Sequence, residues 1–300
     1  MIRCAPLLLI ITLLVSGRCW AQDSEPRRWT HLPVGINVVG TSLGVTNGDI
    51  FLDPVLEIED ANLETYTVST SFVHSFALLG KTTRVDVAVP YTMGRWEGQL
   101  SGEPASTRRR GFRDPGIRLS MLLYGGEALS RAEFAQTERS NTVVGAALAL
   151  RLPWGEYYPE RLINLGNNRW TLRPQLGVTH RKGDWAYELT GSVFIYGDND
   201  DLMGSRLEVD PLWAVQAHLI RYFNKGRWAS LSSAWGDGAD QTVDGMARDI
   251  STENWLIALA YGLPLSRQHS LKFAWIRGRT QRNDGSDIDS FSIGFTWVLP

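Results

Sequence analysis

Along most of this chain, apolar residues alternate one for one with small or polar residues. The closing stretch is the clearest case. Phe291, Ile293, Phe295, Trp297 and Leu299 share one phase, and Ser292, Gly294, Thr296 and Val298 share the other. Successive side chains of a strand point to opposite sides, so the pattern predicts a strand with one oily face and one small or polar face. The same period recurs over 33–45, 64–78, 83–96, 114–124, 141–154, 169–181, 185–196, 206–223, 227–235, 252–263 and 270–279. With the closing strand this makes about twelve strands. Most are near the roughly 9–11 residues of a tilted membrane strand, or slightly longer.

The breaks between strands are mostly short, then long. Residues 79–82, 182–184, 224–226 and 264–269 read as tight turns, and 125–140 has room for one or two helical turns. The longer breaks are 47–63, 98–112, 155–168, 197–205, 236–251 and 281–288. In water, so many large apolar groups on strand faces would drive aggregation. They suit lipid, provided that every strand edge is paired. A soluble β-sandwich would also alternate, but it would turn the polar face of each sheet to water. Here the second face is rich in Gly, Ala, Ser and Thr. The expected fold is therefore all-β: a transmembrane antiparallel up-and-down β-barrel of about twelve strands, with short periplasmic turns and longer outer loops.

The start of the chain gives the same address. Met1, Ile2 and Arg3 precede a mostly apolar run from Ala5 to Val15, and Cys19, Trp20 and Ala21 offer a cleavage site. This predicts a signal peptide over 1–21, removed on export, and a barrel domain over 22–300. Arg18 precedes Cys19 where lipidation requires a small residue. Both cysteines fall in the removed piece, so no disulfide framework is expected. Removing Arg3 and Arg18 leaves 28 basic and 32 acidic residues, too balanced for a nucleic-acid partner. Residues 22–32 form a short polar lead, too small to fold as a plug domain. The 12 tryptophans and 29 glycines suit a barrel with interfacial aromatic girdles.

Candidate chemistry is sparse. Gly40, Ser42 and Gly44 fit the spacing G-x-S-x-G, but a serine nucleophile there needs a strand-to-helix elbow, and none follows. His31, His74, His180, His218 and His269 have no metal-ligand spacing. Asp237, Asp240 and Asp244 lack the spacing and closing Glu of a Ca²⁺ loop. Arg108, Arg109 and Arg110 read as an exposed basic loop, with lipopolysaccharide phosphate as the sharper alternative. The inward phase is more informative. It carries Arg84, Asp86, Arg118, Arg151, Arg173, Glu188, Glu208, Asp210, His218 and Lys272, the expected lumen-lining set. Charges of both signs inside a barrel require water or one another.

Several stretches also resemble a known family. These are 32–40 (Leu32, Pro33, Val34, Gly35 and onward), 48–54 (Gly48, Asp49, Ile50), 84–91 with 96–98, 112–116 and 152–155. They are similar to outer-membrane proteins described as "Putative MetA-pathway of phenol degradation". The resemblance implies an outer-membrane channel for small molecules, aromatic or hydrophobic compounds among them. It implies no catalytic residues, so neither an enzyme nor a cofactor is expected. Expected partners are outer-membrane lipid and lipopolysaccharide, a small-molecule solute and the barrel-assembly machinery. Two alternatives stay open: a barrel hydrolase of lipase or esterase type, and a secreted soluble β-protein that binds a ligand.

Overall fold

The structure, a computed structural model, describes residues 15–16, 24–51 and 58–299. The expected signal peptide lies outside these residues except for Val15–Ser16, which pair in parallel with Ile163–Asn164. Twelve strands close into one antiparallel ring. They are β1 (Asn37–Phe51), β2 (Ile58–Leu78), β3 (Lys81–Leu100), β4 (Gly116–Tyr124), β5 (Thr142–Arg151) and β6 (Thr171–Lys182), followed by β7 (Trp185–Tyr196), β8 (Leu212–Tyr222), β9 (Trp228–Gly238), β10 (Thr252–Pro264), β11 (His269–Thr280) and β12 (Gly285–Val298). Each pairs with its neighbours in the chain. β12 then returns to β1, in register from Gly285 opposite Phe51 to Val298 opposite Val38. Closure satisfies the backbone of the first and last strands, which a membrane would otherwise leave bare.

The two faces of the wall differ as the alternation predicts. Leu43, Tyr66, Leu148, Leu176, Trp213, Leu231 and Phe291 point outward, and Trp213 is 64% exposed. On β10 the outward residues are Trp255, Ile257, Leu259 and Tyr261, an aliphatic centre with an aromatic at each end. Such a belt is stable against hydrocarbon and not against water, which removes the soluble sandwich reading. Small residues face inward, among them Ser69, Ser71, Ala147, Thr190, Ser192, Ser230 and Ser232.

At one end the connections are short. Leu79 and Gly80 both take positive φ (52° and 72°), the backbone of a two-residue hairpin whose twist matches its strands. The longer connection between β4 and β5 holds the helix α1 (Arg131–Gln136), which opens on a Ser130–Glu133 capping box.

At the other end the structure departs from several expectations. Residues 47–51 and 58–63 are strand rather than loop, because the β1–β2 ladder continues past the apolar belt through Asn47 opposite Glu64 and Asp49 opposite Asn62. Residues 98–112 are also no loop. Glu103–Phe112 folds back on β3 across a turn at Ser101 and Gly102, both at positive φ. Beyond the apolar belt a hairpin needs no oily face, so its residues lack the apolar phase that marks the wall. The expected strand 206–223 is two pieces. Pro211 cannot donate to a ladder. Before it, Ser205–Val209 joins Asn199–Leu202, Gln241–Val243 and Met246–Arg248 in a separate four-stranded outer sheet; after it, β8 begins. The closing strand starts at Gly285, so part of the expected loop 281–288 is wall.

A charge placed mid-belt tests the outward face. Leu259→Arg is expected to reduce the folding free energy in lipid vesicles by about 2–4 kcal/mol, measured by urea titration. A change under about 0.5 kcal/mol would mean that Leu259 does not face lipid.

Candidate functional site

The lumen is not empty. Reading back from β1, the chain reverses at Gly35, whose φ of +76° is easy only for glycine. Three bonds fix the reversal. Gly35 N donates to Ser75 O (2.7 Å), Ser75 Oγ donates to Pro33 O (2.8 Å) and Val34 N donates to Leu129 O (2.8 Å). Residues 24–32 then run inside the ring. The lead does not fold as a domain, as its length predicts, yet it occupies the space a plug would take.

Trp29 is the anchor. It is fully buried against Leu122 and Val143, and its indole N–H donates to Thr190 Oγ1 (2.8 Å). Two inward glycines make its slot. A Cβ on Gly145 would lie 2.3 Å from the indole ring, and one on Gly177 would lie 2.0 Å from Nε1. Arg27 stacks its guanidinium over Trp228 (5.0 Å) and Tyr222 (5.6 Å). A guanidinium on an aromatic face contributes about 0.5–2 kcal/mol, depending on desolvation.

The charges of the segment complement those of the wall. Arg28 pairs with Asp86 (3.3 Å) and with Glu25 of its own turn. Asp86 also takes Arg84 Nε (3.1 Å), and Glu25 takes Arg118 (Nη2 to Oε1, 3.2 Å). Glu188 accepts the backbone N–H groups of Arg28 (3.0 Å) and Trp29 (3.5 Å) on its two oxygens. Arg28, Arg84, Arg118, Glu25 and Asp86 are thereby paired and Glu188 is held by amide donors, where isolation would be costly.

The other expected lumen residues divide. Arg173 is buried on the inner wall with its guanidinium 4.3 Å from the Phe194 ring centroid. Arg151 borders the inner cavity. Lys272 is half-buried between Gly262 and Gly294 on the adjoining strands. His218 is buried, with Nδ1 2.8 Å from Ser232 Oγ. Glu208 and Asp210 are not in the lumen. They precede Pro211 and lie in and beside the outer sheet, where Glu208 pairs with Arg206 (3.2 Å) and Asp210 is exposed. Their phase matches the inner face, but the proline break carries them off the wall.

The nucleophile candidates come to little. Ser42 sits mid-strand between Gly294 and Ser69, with no elbow to present it. Glu188 lies opposite His218 in register, but its carboxylate is occupied by the amides of Arg28 and Trp29. Two of the three outer-loop acids are likewise engaged, Asp237 with Arg282 (3.7 Å) and Asp244 with Arg206 N (2.8 Å), and the backbone carbonyl of Asp240 accepts from Asp210 N (2.9 Å).

Between the segment and the outer loops lies a cavity of about 430 Å³. Five arginines border it (Arg28, Arg113, Arg118, Arg151 and Arg173), with the acids Glu25, Asp86 and Asp114. Asp114 came from no lumen pattern. It is buried and accepts from Gly155 N (3.0 Å), Asn167 N (2.9 Å) and Asn167 Nδ2 (2.8 Å), tying the 155–167 loop to the wall. Glu25, Arg28, Trp29 and Arg113 were likewise missed by strand periodicity, because none of them lies on a wall strand.

The sequence profile of the family described as "Putative MetA-pathway of phenol degradation" matches residues 42–287. The chain belongs to that family. Among solved structures it is similar to the COG4313 outer membrane channel from Pseudomonas putida F1, at 19% identity and a TM-score of 0.75, over 92% of this chain and 100% of that one. It is also similar to the transport unit of the autotransporter AIDA-I from Escherichia coli, at 8% identity and a TM-score of 0.51, over 88% and 90%. The beta domain of the Bordetella autotransporter BrkA matches at 10% identity and a TM-score of 0.50, over 87% and 99%. No protein of curated function matches in sequence. This member of the phenol-degradation family is an outer-membrane β-barrel of twelve strands.

Two expectations follow for the segment. Trp29→Ala removes its anchor, so trypsin should cut at Arg27 and Arg28 in folded barrels at least about tenfold faster than in the parent, read by N-terminal sequencing. Equal resistance would mean that the slot does not hold the segment. The second concerns pH. His31 donates from Nε2 to Glu127 O (2.8 Å), meets Phe134 edge-on and lies near Arg139, and burial pushes its pKa below the usual histidine value. Its neutral form is therefore favoured when docked. That contribution is present above the free histidine value of about 6.5 and is lost as pH falls below it. Hydrogen exchange of residues 27–32, normalised to intrinsic rates, should rise from pH 8 to pH 5 in the parent and not in His31→Phe. The same rise in both proteins would assign it to another group.

Proposed function

We propose that this barrel passes small anionic and aromatic solutes across the outer membrane by passive diffusion, and that it is no enzyme. The carrying observation is the inner cavity, where five arginines outnumber three acids and Phe194 supplies an aromatic wall. Glu25 and Asp86 are already paired with arginines, and Asp114 is filled by amide donors. Five guanidiniums against three carboxylates give the lining an excess of two positive charges, and a positive field concentrates anions. A guanidinium grips a carboxylate or phenolate, and ring faces accept an aromatic body. The volume suits a molecule of that size. Membership of a family described by phenol degradation supports the same solute class. Export through a cleaved signal peptide and insertion by the barrel-assembly machinery belong to the same reading. Its basis is the apolar start of the chain and the closing strand with Phe291, Phe295 and Trp297 outward.

The test is electrophysiological. In planar bilayers under a KCl gradient, the reversal potential should report anion preference, and Arg151→Glu should lower the anion-to-cation permeability ratio by roughly two- to threefold. Liposomes bearing the protein should swell faster in benzoate than in glucose. Folded protein without conductance or swelling would sink the proposal.

A further inference from the structure

Outside the wall, the end of β3 and the strand Glu103–Phe112 form one hairpin, and its outward face changes character within a few residues. Going outward, the cross-strand pairs are Tyr91 with Phe112, Met93 with Arg110, and Arg95 with Arg108. Tyr91 and Phe112 meet edge to face with centroids 5.2 Å apart. Tyr66, on β2 beside Met93, adds a third aromatic to this rim. Aromatic side chains at the edge of an apolar belt mark the membrane interface. Two residues along a strand span about 7 Å. Arg110 and Arg108 therefore project at headgroup depth in the outer leaflet.

Their arrangement is unfavourable without an anion. Arg95 and Arg108 are directly opposite, and like charges in that position repel. The acids on this face lie on the Arg95 side of the hairpin. Glu97 pairs with Arg95, and Glu64 lies opposite it on β2 while accepting the Tyr66 hydroxyl. Arg108 and Arg110 stand on the far strand of the hairpin, exposed and two residues apart on one face. Arg109 alternates to the other face, where Nε donates to Ile163 O (2.9 Å). The hairpin thus presents Arg108 and Arg110 outward, beside Arg95 and above an apolar belt.

We propose that Arg95, Arg108 and Arg110 form a binding site for the phosphates of lipopolysaccharide, whose sugar backbone would lie over the hairpin and whose acyl chains would run down past Tyr91 and Phe112. Guanidiniums bind phosphate oxygens in pairs, and clustered arginines beside a membrane surface recognise anionic headgroups. The site goes beyond the solute pathway: it faces lipid, on the opposite side of the wall from the cavity. It would hold the outer hairpin against the leaflet and neutralise the Arg95–Arg108 pair.

Native mass spectrometry of the full chain, freed of lipid in detergent, tests this with three probes: phosphorylated lipid A, the same lipid without phosphates, and inorganic pyrophosphate. The parent is expected to retain phosphorylated lipid A. The combined variant R95Q, R108Q and R110Q should bind it at least about tenfold more weakly, and Arg267→Gln at the opposite rim should not differ from the parent. Equal binding of the dephosphorylated lipid would overturn the proposal, since only acyl chains would then be recognised. Pyrophosphate binding as tight as lipid A would also overturn it, by assigning the site to a free anion. If the triple variant does not fold, Arg108→Gln alone decides: a loss of about threefold supports the site, and unchanged affinity overturns it.

Discussion

A closed ring of twelve strands encloses more space than its own side chains fill. Eight strands make a barrel whose interior is just packed, and each further pair widens it. The inward residues here are largely Gly, Ala, Ser and Thr, which fill little. Something must occupy that space, and anything charged within it must be paired or wet. The polar lead, the inward arginines and the glycine slot are all consequences of this one condition.

The segment 24–36 meets the condition with few residues. Trp29 supplies volume and fits where Gly145 and Gly177 leave room. Glu25 and Arg28 supply charges of opposite sign beside Arg118 and Asp86, and the backbone amides of Arg28 and Trp29 serve Glu188. The segment is held by many modest contacts rather than by integration into the ring. Such an element can move without unfolding the wall, because the ring's ladder bonds are all its own. The cavity beyond it is positive, so the same arginines that hold the segment face any solute that arrives.

The wall was legible in the sequence because a period of two residues survives wherever one face meets lipid. Trp185–Tyr196 and the outward set Phe291, Ile293, Phe295 and Trp297 follow it directly. It ceased to be legible where the strands leave the membrane. There Glu103–Phe112 and Ser205–Val209 lie beyond the apolar belt, and isolated apolar residues such as Leu207, buried against Leu202 and Val243, set no period that separates strand from loop. Glu208 and Asp210 illustrate the hazard, since the phase carried through Pro211 while the wall did not. The lead escaped for a different reason. Its partners lie about 60 to 160 residues away along the chain, as in Arg28 with Asp86 and Trp29 with Thr190. No local pattern reports pairings of that range; the only local hint was a tryptophan set among Glu25, Arg27 and Arg28.

The chain's own lead occupies its pore. Single-channel conductance of the full barrel, set against a chain lacking residues 24–31 and checked for folding by heat-modifiable migration, tests it most directly. The shortened protein is expected to conduct several-fold more current per channel. Equal conductance in the two folded proteins would contradict it.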